Sequence, residues 1–179
     1  MTWQMGVIAA VRILGSLPVL RWPFAGGLIA LVADFSDLFL MSWLGGVPNY
    51  QRFDKYVDQV YMATFLAVAY RWQGTPRRVS VWLFAYRMVG FVAFEITGAR
   101  GLLLFFPNLF EFWFLFVAAL NHWRPDFAYA RRQVLGWGAM LVAVKEFQEY
   151  VLHWGRWLDA FTAFEAMESI GRWATAPFR

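Results

Sequence analysis

The chain contains no cysteine, only two histidines and two lysines, and charged residues fill just 16% of its 179 positions. Without cysteine there is no disulfide scaffold, no thiol catalysis and no Cys-ligated zinc or iron–sulfur centre. The scarcity of charge and the wealth of aromatics exclude a disordered chain. P-loop, GxSxG and HExxH motifs are missing, as are internal repeats and low-complexity runs. What remains is apolar: 60% of the residues are hydrophobic and 21% aromatic, including 11 Trp and 19 Phe. A soluble domain sits nearer ~45–50% apolar and ~25% charged. This surplus suits a bilayer, where Trp and Tyr line the interfaces and Phe fills the hydrocarbon.

The sequence predicts an all-α, polytopic membrane bundle. A spanning helix needs about 20 residues, so the chain holds about six, with no second soluble domain. The apolar stretch 3–20 is a first span or an interfacial helix, without the basic start of a signal peptide. Further helices are expected over 23–44, 52–72, 79–97, 102–121 and 133–153, with Pro107 kinking or starting the fifth. Residues 1–153 thus form the transmembrane domain. Residues 154–179 form an amphipathic tail, with Trp154, Trp157, Phe161, Phe164, Met167 and Ile170 on one face. The tail rests on the membrane surface or docks on a partner subunit. The net charge of +4 comes mostly from Arg, 14 of 16 basic residues. In loops these meet lipid phosphates rather than nucleic acid.

Charge at membrane depth costs at least ~2.5–3.5 kcal/mol per residue, yet Arg12, Asp34, Asp37, Arg87, Glu95, Glu111, Lys145, Glu146 and Glu149 fall inside the helical stretches. Lys145 and Glu149 are i,i+4 neighbours and can neutralise each other. Arg87 and Glu95 share a face eight residues apart and look to other helices. Glu111 is read as a helix–helix hydrogen-bond partner, with ligand binding as the alternative. His122 and His153 stand near helix ends beside Trp, where an interfacial role and haem or metal ligation are both open.

The acidic set on the second and third helices is the most informative. Asp34 and Asp37 share one face, Asp54 and Asp58 another, and a short loop joins the two helices. Four converging carboxylates require a compensating cation, and hard oxygen ligands suit Mg²⁺, Mn²⁺ or Ca²⁺. The alternative is structural. Asp34 and Asp37 then pair with Arg12 or Arg52, while Asp54 caps its helix and Asp58 faces solvent.

The order Asp34-x2-Asp37 … Asp54-x3-Asp58 resembles the CDP-alcohol phosphotransferases, whose pattern is D-x2-D-G-x2-A-R-x8-G-x3-D-x3-D on the second and third of six helices. The resemblance covers about residues 8–70, with "AVRILGSLPVL", "WPFAGGLIALVADFSDLFL" and "RFDKYVDQVYMATFLAVA" matching the first three helices. It implies a six-helix fold in the inner membrane of a bacterium, with lipids as partners and a homodimer or larger membrane complex as the assembly. It further implies Mg²⁺ or Mn²⁺ held by Asp34, Asp37, Asp54 and Asp58. Asp58 would be the catalytic base that deprotonates an acceptor alcohol as CMP leaves, and Arg87 and Arg100 would bind phosphate. The chain departs from the pattern where the family has Gly, Ala-Arg and Gly: here stand Leu38, Met41-Ser42 and Tyr50, and the gap is one residue short. Bulky Leu38 and Tyr50 would crowd the space a nucleotide needs. A non-catalytic membrane protein or accessory subunit is therefore the second reading. A small carrier, with Glu95, Glu111, Lys145 and Glu149 along its path, is the third.

The densest Arg clusters, 71–78 and 124–132, share the side opposite the 45–53 loop. By the positive-inside rule that side is cytoplasmic, whereas the resemblance puts the Asp side there. Single cysteines at Gln73 and Asn49 separate the two. The Arg clusters predict that Gln73→Cys is reached by a membrane-impermeant thiol reagent only from the cytoplasmic face.

Overall fold

In the computed structural model, residues 2–43, 50–98 and 105–149 are described. They form α-helices α1 (Trp3–Ser16), α2 (Pro23–Trp43), α3 (Tyr50–Ala69), α4 (Thr75–Thr97), α5 (Leu109–Trp123) and α6 (Arg131–Glu149), with a 3₁₀ turn at Leu17–Leu20. No strand occurs among the described residues. The expected tail at 154–179 lies outside them. Two helical segments, Trp3–Leu20 and Thr75–Thr97, are long and apolar enough to cross a membrane, while Pro23–Ser36 and Leu109–Trp123 are shorter apolar helices.

Local chemistry sets the boundaries. Thr2 caps α1, its hydroxyl accepting from the Met5 N–H. Pro18 breaks the α-helical bonding and leaves the tighter 3₁₀ turn. Gly74 precedes α4 at φ +67°, and Gly98 ends it in the left-handed region at the same φ, its N–H donating to the Phe94 carbonyl. α4 starts at Thr75 rather than 79 because Pro76 fits a first helical turn, where its missing N–H is not needed. The helix that ends at Trp123 starts at Leu109, just after Pro107, which cannot sit inside an α-helix.

α3 is the centre, touching α1, α2, α4 and α5, while α6 packs chiefly on α5. The core is an aromatic stack: Phe65 lies over Phe114 with ring centroids 4.2 Å apart, and Trp72 covers the same ring at 5.1 Å. Phe110, Met62, Val19 and Val68 close around it. Glycines bring the backbones in. A Cβ on Gly15 would lie 2.4 Å from that of Ala33, and one on Gly26 would lie 2.3 Å from the Val19 nitrogen in the 3₁₀ turn.

Contacts at the helix ends also fix the sense of the helices. Arg71 at the end of α3 donates to the Leu20 carbonyl at 3.1 Å, and Phe24 at the start of α2 meets Trp123 at the end of α5, with ring centroids 4.6 Å apart. These mark one end of the bundle. Toward the other, Lys55 of α3 stands over the Phe94 ring of α4, and Tyr56 donates to Glu95 at 3.2 Å. α5 does not run the full height. The segment before it returns to the middle of α4, where Tyr86 and Arg87 donate to the Phe105 and Phe106 carbonyls. Gly90 faces Phe106 so closely that a Cβ would clash.

Gly26→Ala forces its methyl into the Pro18–Val19 backbone, which a side-chain rotation cannot relieve. It should destabilise by about 1–3 kcal/mol in thermal unfolding of the detergent-solubilised protein. Gly136→Ala, which meets nothing within 4 Å, should stabilise α6 by up to about 1 kcal/mol.

Candidate functional site

The burial pattern along α1 is the first sign of a site. Arg12 is 3% exposed, while Leu14, two residues on, is 65% exposed. A charge is drawn inward and a leucine pushed outward, so something inside must compensate the guanidinium. That something is a pair of carboxylates. Nη2 of Arg12 donates to Oδ1 of Asp34 on α2 and to Oδ1 of Asp58 on α3. Both acids are largely buried, their side chains 29% and 21% exposed. Two acidic residues 24 positions apart thus converge on one atom.

Their depth differs from a site at the bundle's end. Asp34 lies 11 residues into α2 and Asp58 lies 11 residues before the end of α3. Each is therefore ~16 Å from the end marked by Leu20 and Trp123, at 1.5 Å per residue. The cluster sits at about half height.

One turn along α3 from Asp58, a second polar group begins. The Tyr61 hydroxyl donates to Oε2 of Glu111 at 3.0 Å. Nδ2 of Asn108 donates to the same oxygen at 2.9 Å and to the Tyr61 hydroxyl at 3.2 Å. Glu111 lies in the first turn of α5, where the helix dipole favours a negative charge. The start of α5 at mid-height is what delivers Asn108 and Glu111 to Tyr61. Pro107 therefore positions this group as surely as the side chains in it. Asn108 and Tyr61 were not singled out by the sequence. The available signal was the i,i+3 spacing of Asp58 to Tyr61 and of Asn108 to Glu111.

The other expected site residues fall elsewhere or outside the described part. The side chains of Asp37, Asp54 and Glu149 and all of Arg100 and His153 lie outside it. Arg87 donates from Nη1 to the Phe106 carbonyl at 2.7 Å, so it secures the entry to α5. Glu95 accepts from Tyr56. Lys145 is buried beside the Phe112 ring, 5.5 Å from its centroid. Glu146 borders an open groove of about 790 Å³ whose walls include Trp82, Tyr86, Phe105 and Val142. His122 packs edge-on against Trp123 at the surface. In the α5–α6 connection, partial burial pushes the Tyr129 phenol above its ordinary pKa.

Asp34 and Asp58 offer hard oxygens of the kind divalent cations prefer, and both are engaged by the Arg12 guanidinium. Among the described residues, no group of three or more His, Cys, Asp or Glu side chains is gathered to hold a metal. Comparison with family models, curated proteins and solved structures finds no match.

Removing one partner from a buried ion cluster leaves uncompensated charge at a cost of about 3–5 kcal/mol. Arg12→Leu should therefore lower stability in urea titration by about that much. Arg12→Leu combined with Asp34→Asn and Asp58→Asn should recover most of the loss. Tyr61→Phe removes one donor from Glu111 and should cost about 1–3 kcal/mol.

Proposed function

We propose that the chain is an integral membrane protein built on the scaffold of the CDP-alcohol phosphotransferases, and that its half-height acidic cluster is a divergent form of their site. The reading is carried by one observation: Asp34 and Asp58, from the two helices that bear the family's motif, converge on a single cationic atom. Three features support the membrane setting. Large apolar side chains such as Trp82, Ile96 and Val32 lie on the outer surface, charge lies inside, and two helices are of spanning length. Six spans, a surface-lying tail, lipid partners and self-association belong to the same proposal.

Asp34, Asp37, Asp54 and Asp58 are the residues that would hold Mg²⁺ or Mn²⁺. When bound, the ion neutralises the oxygens of a pyrophosphate. Asp58 then takes the proton of an acceptor hydroxyl. The acceptor oxygen forms a bond to the β-phosphorus, the bond from that phosphorus to the bridging oxygen breaks, and CMP departs with that oxygen. Arg100 is the proposed phosphate contact, together with whatever donor capacity Arg87 keeps beside its hydrogen bond to the Phe106 carbonyl.

The second reading is a non-catalytic protein that kept the fold, with Arg12 as a permanent counter-ion. It is favoured by the depth of Arg12 and by Leu38 and Tyr50 at the family's glycine positions.

The assay is CMP release from CDP-diacylglycerol by the purified protein with Mg²⁺ or Mn²⁺ and a panel of alcohols. The phosphotransferase reading expects release that falls at least about a hundredfold in Asp58→Asn, the usual loss for a general base. No release by the wild type with any alcohol decides for the non-catalytic reading, and full activity in the variant overturns the role of Asp58 as the base.

A further inference from the structure

The open groove of about 790 Å³ is lined by Trp82 and Tyr86 of α4, Val142 of α6 and Phe105 before α5. Its two helical walls carry the same pattern. Arg78, Trp82 and Tyr86 are spaced by four and share a face of α4. Arg131, Leu135 and Val142, spaced by four and seven, share a face of α6. Each apolar stripe therefore begins with an exposed arginine, and both arginines stand at the end of the bundle marked by Leu20 and Trp123. Neither Arg78 nor Arg131 makes an ion pair with a described residue. The same end exposes Arg71, Arg77, Arg124 and Arg132 against a single acid among the described residues, Asp126.

We propose that the groove between α4 and α6 binds one acyl chain of an anionic phospholipid, whose phosphate rests on Arg78 and Arg131. The proposal deepens the membrane reading and rests on it, while owing nothing to the phosphotransferase chemistry. Charge and dimensions carry it together. At a rise of ~1.5 Å per residue, Tyr86 lies ~12 Å and Val142 ~16 Å beneath the arginine of its own helix. One leaflet fills half of the ~30 Å hydrocarbon core, so its chains reach ~15 Å below the headgroups. The apolar walls thus occupy the depth of the chain, and the cations occupy the level of the phosphate. Glu146, a further turn along α6, bounds the groove beyond that depth. The walls are also fixed in advance. Tyr86 is pinned by its hydrogen bond to the Phe105 carbonyl, and Arg87 holds the next carbonyl in place. A preformed groove spares the bound chain the cost of ordering its site.

Native mass spectrometry tests this on the full-length protein, purified in detergent with equal amounts of phosphatidylglycerol and phosphatidylcholine of identical chains. The wild type should favour phosphatidylglycerol about thirtyfold, the effect of two arginines at an anionic headgroup. Arg78→Gln combined with Arg131→Gln should erase the preference. Arg124→Gln, at the same end but outside both stripes, should keep it within about twofold. Val142→Trp fills the groove and should remove the retained lipid. In nanodiscs, phosphatidylglycerol with a diazirine on its acyl chain should label the peptides around Trp82 and Val142, a measurement that needs no variant to fold. Equal retention of the two lipids, an unchanged preference in the double arginine variant, or labelling spread evenly over the apolar helices overturns the proposal. So does a dimer that retains no lipid, which puts a second copy of the chain in the groove. Alkaline carbonate extraction of membranes holding the protein separates the two claims. Protein that stays in the membrane but shows no lipid preference removes this inference alone. Protein released into the supernatant removes the membrane reading beneath it.

Discussion

One guanidinium in an apolar interior governs how the first three helices meet. Arg12 is acceptable at 3% exposure only while Asp34 and Asp58 both reach it. That condition sets the rotation of α1 about its axis, because Leu14 and other apolar residues must then face outward. It also sets the register of α2 against α3, because the two acids have to stand at the same height. The small residues at the α1–α2 contact make the approach close enough for a single side chain to bridge it. Apolar packing alone would tolerate several rotations of such helices, and the buried charge selects among them.

The second polar group extends this logic to the far half of the bundle. Tyr61 stands one turn from Asp58 and carries the polar face of α3 toward Glu111 and Asn108. To reach it, α5 begins inside the bundle instead of at its edge. Irregular backbone at such depth needs its hydrogen bonds satisfied by the protein. Tyr86 and Arg87 do this for the Phe105 and Phe106 carbonyls. An arginine that the family resemblance assigns to phosphate thus has a structural task in this fold.

The helices were legible from the sequence because apolar runs separated by Pro and Gly leave few choices, as at 23–43 and at Gly98. The start of α5 was half legible. Pro107 marked a break, but only the side chains of α4 explain where the chain resumes. Of the acidic set, the pairing of Asp34 was legible, with Arg12 already a candidate partner. That a single nitrogen would bind Asp58 as well depends on the crossing of three helices, which no local pattern encodes. Tyr61 and Asn108 stayed hidden for a plainer reason: neither is costly enough in an apolar helix to draw notice alone.

The partners of Arg12 lie 22 and 46 residues further along the chain. On the membrane reading, this has a consequence for biogenesis. As the chain leaves the ribosome, the first segment carries an uncompensated arginine, costing ~2.5–3.5 kcal/mol at the centre of an isolated helix. Asp34 arrives with the next helix, and Asp58 only with the third. The first segment then has little reason to settle across the bilayer alone. The three helices are expected to commit to the membrane as one cooperative unit, with the arginine held at the interface or in the translocation machinery until its acids appear.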